Sequence, residues 1–244
     1  MLDHKVYIEH KMYIEQEGIV IKRMKQEKKK QEITKDIKQE IEQIAHDMEH
    51  EKYELRYQYV VGILEAKINI INEQLSREYH REIIRDVNSR LKKPDSIHAK
   101  LVRKGYETNF ATAKKKLNDL IGIRIICLFQ DDIYRVAEML EKQQDLEIVK
   151  IKDYIESPKK NGYMSLHLIV DLPIYLGDKK ETKRAEIQIR TTAMDFWSVL
   201  DYQMIYKKDV KGAEEAAKEL KGYSEEIAAL DRKMVKLREK IARI

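Results

Sequence analysis

The chain has one cysteine in 244 residues, Cys127, only three prolines, and no apolar run near the roughly eighteen residues of a membrane helix. A single cysteine excludes an internal disulfide framework and fits a reducing compartment. The N-terminus is charged throughout and lacks the apolar stretch of a signal peptide. Charge of one sign is also scarce. The 48 basic and 43 acidic residues leave a net charge of +5, a milder excess than a dedicated DNA-binding domain carries. These absences point to a cytoplasmic protein, and the mild basic excess suits binding of phosphorylated small molecules as well as RNA. RNA is admitted as a partner but not required; DNA and membrane are not expected. No internal repeat and no low-complexity linker divides the chain.

Helical signals fill the first ninety residues, which contain no proline and two glycines, Gly18 and Gly62. Ile33, Ile37, Ile41, Ile44 and Met48 recur at helical spacing, and Val60, Leu64, Ile68, Ile71 and Leu75 repeat it. One long helix or two consecutive ones follow from this. The lysines between Lys22 and Lys30 read as a solvated helix face. From Asp119 the pattern turns to strands. Leu120 to Phe129 is a buried strand. Asp132 to Glu141 is a short helix capped by Asp131 or Asp132, and Glu147 to Ile151 and Met164 to Leu172 are strands. Pro173 and Gly177-Asp178 mark a turn, Arg184 to Arg190 is a strand, Thr191 to Tyr206 a helix with the sole tryptophan, and Glu214 to Ile244 a charged helix. The fold class is α+β: a mixed sheet of about five strands flanked by helices, with long N-terminal and C-terminal helices. The division expected is an extension over 1–54, a catalytic domain over 55–210, and an oligomerisation helix over 211–244.

Strand alternation sorts the polar residues. Glu186, Gln188 and Arg190 share one face of their strand, opposite Ala185, Ile187 and Ile189. Tyr163, Ser165 and His167 share a face, opposite Met164, Leu166 and Leu168. If the two strands are neighbours, these faces merge into a polar cleft floor. Asp119, before the first of these strands, and Glu186, on a later one, are carboxylates able to hold Mg²⁺, a hard cation that bridges phosphates. Arg90, Lys92, Lys100, Arg124, Lys152, Lys159 and Arg190 are the cations for phosphates and base faces. Ser89 to Ile97 reads as a loop entering a helix, with Pro94 in the first turn.

Four segments then occur in order: Arg90-x-Lys92-x-x-x-Ser96; Asp119-x-x-Gly122-x-Arg124; Lys152-Asp153-Tyr154-Ile155 through Asn161-Gly162-Tyr163-x-Ser165-Leu166-His167; and Glu186-x-Gln188-Ile189-Arg190-Thr191 followed by Ala193-Met194-Asp195-Phe196-Trp197. Over roughly residues 55 to 240 the chain resembles the synthetase domain of the RelA/SpoT homologues, and its size is similar to that of the small alarmone synthetases. The resemblance implies a nucleotidyltransferase-like fold, with ATP as pyrophosphate donor and GDP or GTP as acceptor. The product is the stringent-response alarmone ppGpp or pppGpp. It implies that Arg90 and Arg124 sandwich the adenine, and that Lys92, Ser96 and Lys100 line the ATP side. Asp119 and Glu186 would hold Mg²⁺, with Glu186 also the candidate base. Tyr163 would stack on guanine, and Lys152, Lys159, Asn161, Ser165, His167, Gln188 and Arg190 would line the acceptor side. It further implies a homo-oligomer, with a tetramer favoured.

The chain departs from the family's pattern after the tryptophan. Leu200-Asp201-Tyr202-Gln203 stands where Leu-Glu-His and a basic residue are usual, and Met164 fills a slot that is often basic. Preference among GMP, GDP and GTP is therefore open. Two alternatives follow: pyrophosphate transfer to the 3′ end of tRNA, as in toxin relatives, or a catalytically weakened nucleotide sensor. His46-Asp47 resembles a hydrolase motif of longer relatives but reads here as ordinary helix surface. Cys127 and Trp197 read as packing.

Overall fold

A left-handed turn at Lys52 (φ 51°) breaks the N-terminal helical run in two. The computed structural model describes residues 34–206 and 213–243; the Lys22 to Lys30 run and Ile33 lie outside the described residues. The described residues divide into two compact units, 34–51 with Pro94–Thr112, and Lys52–Lys93 with 113–206 and 213–243. In the smaller unit, α1 (residues 34–50) lies beside α3 (Pro94–Lys104). His98 Nε2 meets Glu40 Oε2 at 2.7 Å, and Thr108 donates to the same oxygen. His46 and Asp47 sit on α1 next to each other and belong to no metal cluster among the described residues.

The larger unit is built on a five-stranded sheet of order β1-β2-β5-β4-β3. The strands are β1 (Ile84–Leu91), β2 (Ile121–Cys127), β3 (Glu147–Asp153), β4 (Leu166–Leu176) and β5 (Lys179–Thr191). β2 and β5 run parallel; every other pair is antiparallel. One face is apolar because alternate residues stack row upon row: Ile123 opposite Ile187 opposite Leu168, and Ile125 opposite Ile189 opposite Leu166, all buried. α5 (Gln130–Glu141) lies over this face, its Tyr134 and Ala137 sharing a small cavity with Leu166 and Leu168. α2 (Tyr53–Tyr79) buries the stripe Val60, Leu64, Ile68, Ile71 and Leu75 against the same layer. Each such side chain, fully buried, contributes about 1.5–3 kcal/mol.

Four expectations need correction. β1 was not foreseen: Ser89 to Leu91, read as loop, are its last residues, pairing with Gly122, Ile121 and Ile123. Pro173 does not turn the chain. It sits inside β4 opposite Thr182, beyond the point where β3 stops pairing at Asp171, so its missing N–H leaves no ladder bond broken on that edge. The turn is at Gly177-Asp178. Met164 and Ser165 precede β4 rather than belonging to it. Asp131 and Asp132 do not cap α5; the N-cap is Phe129, and both aspartates lie in the first turn, held by arginines.

α6 (Thr192–Asp201) starts cleanly because Thr191 accepts a bond from the Met194 N–H. It ends sooner than expected, passing into a π-helical turn at Tyr202–Tyr206. α7 (Ala213–Ile241) then folds back over it. Trp197 is buried between them and donates its indole N–H to the Leu220 carbonyl at 2.7 Å. Cys127 is fully buried, and burial pushes its thiol well above the ordinary range, so it is a packing residue.

Candidate active site

The polar face of the sheet carries one row of side chains contributed by all five strands. Asn88 lies opposite Arg124, Arg124 opposite Gln188, Gln188 opposite His167, and His167 opposite Lys152. Residues directly opposite share a face, so these five project together. In the next row Gly122 stands between Arg90 and Glu186. With no side chain of its own, Gly122 leaves room for the Arg90 stem, which lies 3.5 Å from where a Cβ would be. The face opens into a cleft of about 490 Å³, walled on one side by Ser198, Val199, Tyr202 and Gln203. A nucleotide-sized ligand fits a cavity of this order.

A closed ring of hydrogen bonds joins five of these side chains. Arg190 Nη2 donates to the Tyr163 phenol oxygen at 2.8 Å and to Gln188 Oε1 at 2.6 Å. An ionised carboxylate only accepts, so His167 carries a hydrogen on the Nδ1 that faces Glu186, and its Nε2 lies 2.9 Å from the Tyr163 hydroxyl. Nδ1 points at Glu186 Oε1 (3.3 Å), and Gln188 Nε2 donates to Glu186 Oε2 (2.9 Å). Burial pushes the Glu186 pKa up, but the hydrogen bond and charge of His167, a hydrogen bond from Gln188 and the charge of Lys152 outweigh it and hold the carboxyl at about 2. Burial pushes His167 below the ordinary imidazole range, against the opposing pull of Glu186. Glu186 is thus a firmly ionised, well-supported acceptor. A general base is best tuned near the working pH; the Glu186 carboxyl lies well below it.

Tyr163 is flanked by cations. Lys159 Nζ lies 4.4 Å from its ring centre and Arg190 at 5.3 Å, while Tyr154 meets it edge-on. Its loop is set by Gly162, whose φ of +94° few other residues tolerate. The Gly162 carbonyl accepts from the Ser224 hydroxyl of α7, and a Cβ on Gly162 would stand 2.9 Å from Ser224 Cβ. Gly162→Ala therefore forces the loop off α7. The backbone penalty alone is on the order of 1–2 kcal/mol. A drop of roughly 2–8 °C in melting temperature is expected, read by thermal denaturation.

The other expected residues fall in several places. Arg90, Arg124, Lys159, Tyr163, His167, Gln188 and Arg190 line the cleft. Lys152 joins the row on β3. Asn161 donates to Asp201, tying the Tyr163 loop to the end of α6. Ser165 does not line the cleft: it is fully buried and donates to the Ile189 and Leu166 carbonyls, locking the start of β4 onto β5. Ser96 and Lys100 lie on α3, in the smaller unit. Asp119 is buried just ahead of β2 and pairs with Lys92 (Nζ to Oδ2 3.0 Å); Glu186 lies on β5, the parallel neighbour of β2. Buried carboxylates belong to the donor class magnesium takes when phosphates and water complete its shell. No cage of three or more metal-binding side chains exists among the described residues.

The family described as a region found in RelA/SpoT proteins matches residues 89–211. The GTP pyrophosphokinase YwaC of Bacillus subtilis (strain 168) is 41% identical over 195 residues, covering 80% of this chain and 93% of that protein. The chain belongs to the RelA/SpoT family. Among solved structures, small alarmone synthetase 1 from Bacillus subtilis bound to its product pppGpp superposes with a TM-score of 0.72 at 32% identity, over 80% of this chain and 98% of the other. The same protein bound to AMPCPP gives 0.65 at 28% identity, over 80% and 99%. The match to the RelA/SpoT family begins at Ser89, within β1, and takes in the whole polar row except Asn88.

One contributor escaped sequence reasoning. Asp195, in the first turn of α6, sits 3.3 Å from both Arg124 Nη1 and Arg190 Nη1. Its place within the Ala193 to Trp197 motif was the available signal, but nothing in the sequence says which cations it meets.

Proposed function

We propose that this RelA/SpoT-family chain is a GTP diphosphokinase that makes alarmone. It moves the pyrophosphoryl group of ATP to the 3′-hydroxyl of GDP or GTP, giving ppGpp or pppGpp and AMP. The observation that carries the reading is the cleft itself. In a chain 41% identical to a GTP pyrophosphokinase, ionised Glu186 is bonded to His167 and Gln188 beside Tyr163, Arg124 and Arg190.

In the reaction the 3′-oxygen attacks the β-phosphorus, and the bond from that phosphorus to the α,β-bridging oxygen breaks. AMP leaves carrying the bridging oxygen, and the hydroxyl proton passes to Glu186 and from it to solvent. Little covalent work falls to the protein; positioning and charge neutralisation do most of it. Arg90 and Arg124 take the adenine, and Lys92 takes donor phosphate. Tyr163 offers an aromatic face to guanine. Lys152, Lys159, Asn161 and Arg190 take the acceptor's polar groups, while Glu186 accepts the hydrogen bond of the 3′-hydroxyl. Ser96 and Lys100 carry their ATP-side assignment from the resemblance alone. Asp119 and Glu186 would hold magnesium, which when bound supplies positive charge to the transferring phosphates.

We also assign it to the cytoplasm and to a homo-oligomer, with a tetramer favoured. Supporting self-association, Leu230, Met234, Leu237 and Ile241 recur at helical spacing on α7 and are exposed. No helix among the described residues is long and apolar enough to cross a membrane. Transfer to tRNA and a silent sensor are not favoured. Incubating the protein and magnesium with ATP labelled in its β-phosphate, and GMP, GDP, GTP or tRNA, tests the reading. Label is expected on GDP or GTP. Label on tRNA, or retained in ATP in every tube, overturns it.

A further inference from the structure

Arg90, Arg124 and Arg190 crowd one cleft, and each repels the others. Arg190 is almost wholly buried and is held by Tyr163 and Gln188 at the acceptor end. Arg124 is more open and reaches the same cleft from β2. The Nε atoms of Arg124 and Arg190 are buried without a hydrogen-bond partner among the described residues, so these guanidiniums are oriented through their terminal nitrogens. On both, one of those nitrogens meets the same atom, Asp195 Oδ1. Asp195 comes from α6, whose start is fixed by the Thr191 cap and whose Trp197 is anchored on α7. The carboxylate is therefore presented from a supported element, not from a loose loop.

We propose that Asp195 is a positioning residue that couples the two nucleotide half-sites, because one carboxylate oxygen holds Arg124 and Arg190 together. The inference rests on the reading that Arg124 serves the ATP side and Arg190 the guanine-nucleotide side. A ligand that draws one guanidinium toward itself changes the carboxylate's share for the other. Anionic ligand on either side also relieves the repulsion between the arginines. Filling one half thus presets the other, and by linkage the effect is reciprocal. Asp195 itself touches neither reacting atom.

The test is a binding cycle on the full chain with magnesium, using AMPCPP and GDP in a calorimeter. In the wild type, saturating GDP is expected to tighten AMPCPP by about tenfold, within the usual range of site coupling. In Asp195→Asn, which keeps the side chain's size, the difference is expected to fall below about twofold, with the melting temperature little changed. A merely structural Asp195 would lower the melting temperature and leave the ratio intact. Asp195→Ser, which removes the shared carboxylate and leaves both arginines in place, is expected to remove the coupling in the same way; it decides the matter should Asp195→Asn not fold. Coupling retained in a folded variant, or absent from the wild type, overturns the proposal. Product formation by the wild type is scored separately. Alarmone made with coupling unaffected by Asp195→Asn sinks this inference alone, whereas no alarmone at all sinks the functional reading beneath it.

Discussion

Glu186→Gln is expected to lower kcat by on the order of a thousandfold while AMPCPP and GDP bind within a few-fold of wild type. The glutamine has the right shape and the wrong hydrogen bonding. Both Glu186 oxygens now accept, Oε1 from His167 and Oε2 from Gln188. An amide offers one acceptor and a donor-only nitrogen. Either His167 or Gln188 must then face a donor. If Gln188 flips its amide to adapt, it withdraws Oε1 from Arg190. On the proposed reading, the negative charge beside the 3′-hydroxyl and one magnesium ligand would disappear with the same change. Single-turnover kinetics against calorimetric binding separate these effects. Turnover within tenfold of wild type would remove Glu186 from the mechanism. The depressed Glu186 pKa adds a second readout: no loss of rate between pH 8 and pH 5 should trace to protonation of this carboxyl.

Asp132→Ala should lower stability by about 3–5 kcal/mol, a drop in melting temperature of about 10 °C or more. Asp132 is completely buried, and Arg81 grips both its oxygens at 2.6 Å. Arg135 bonds Asp132 at 2.8 Å and also meets Asp131, which Arg238 of α7 holds through two bonds of 3.0 and 2.7 Å. The chain of alternating charge thus clips α7 to α5 and to the junction between α2 and β1. Removing the buried carboxylate leaves Arg81 and Arg135 with only Asp131, already shared with Arg238, to balance them. Thermal denaturation followed by circular dichroism checks the result, and a change under about 1 kcal/mol would show the cluster to be dispensable.

Strand alternation made much of this site readable. Glu186, Gln188 and Arg190 were separable from Ile187 and Ile189 because a strand with one polar face announces it every second residue. The α2 stripe was legible for the same reason at helical period. β1 was not: Arg85, Asp86, Asn88, Ser89 and Arg90 make a polar edge strand, and only its pairing with β2 reveals it. Ser165 misled because two residues decide where a strand begins, and its hydroxyl turned to the backbone of β5. The contacts of α7 with Gly162, Thr191 and Asp131 join positions 40 to 107 residues apart. No local pattern encodes such pairings. The same holds for Asp195, whose arginines come from two different strands.

The polar row of Asn88, Arg124, Gln188, His167 and Lys152 spans roughly 19 Å at ordinary strand spacing. It imposes a parity rule on how this sequence can drift. Losing one codon inside β5 turns part of that strand over, sending Gln188 toward the oily layer and Ile187 toward water. Adding codons at Gly177-Asp178, where β4 gives way to β5, leaves the parity of every position intact. Divergence among working descendants should therefore accumulate as length changes in the connections, while the strands themselves admit exchange of residues but not of count.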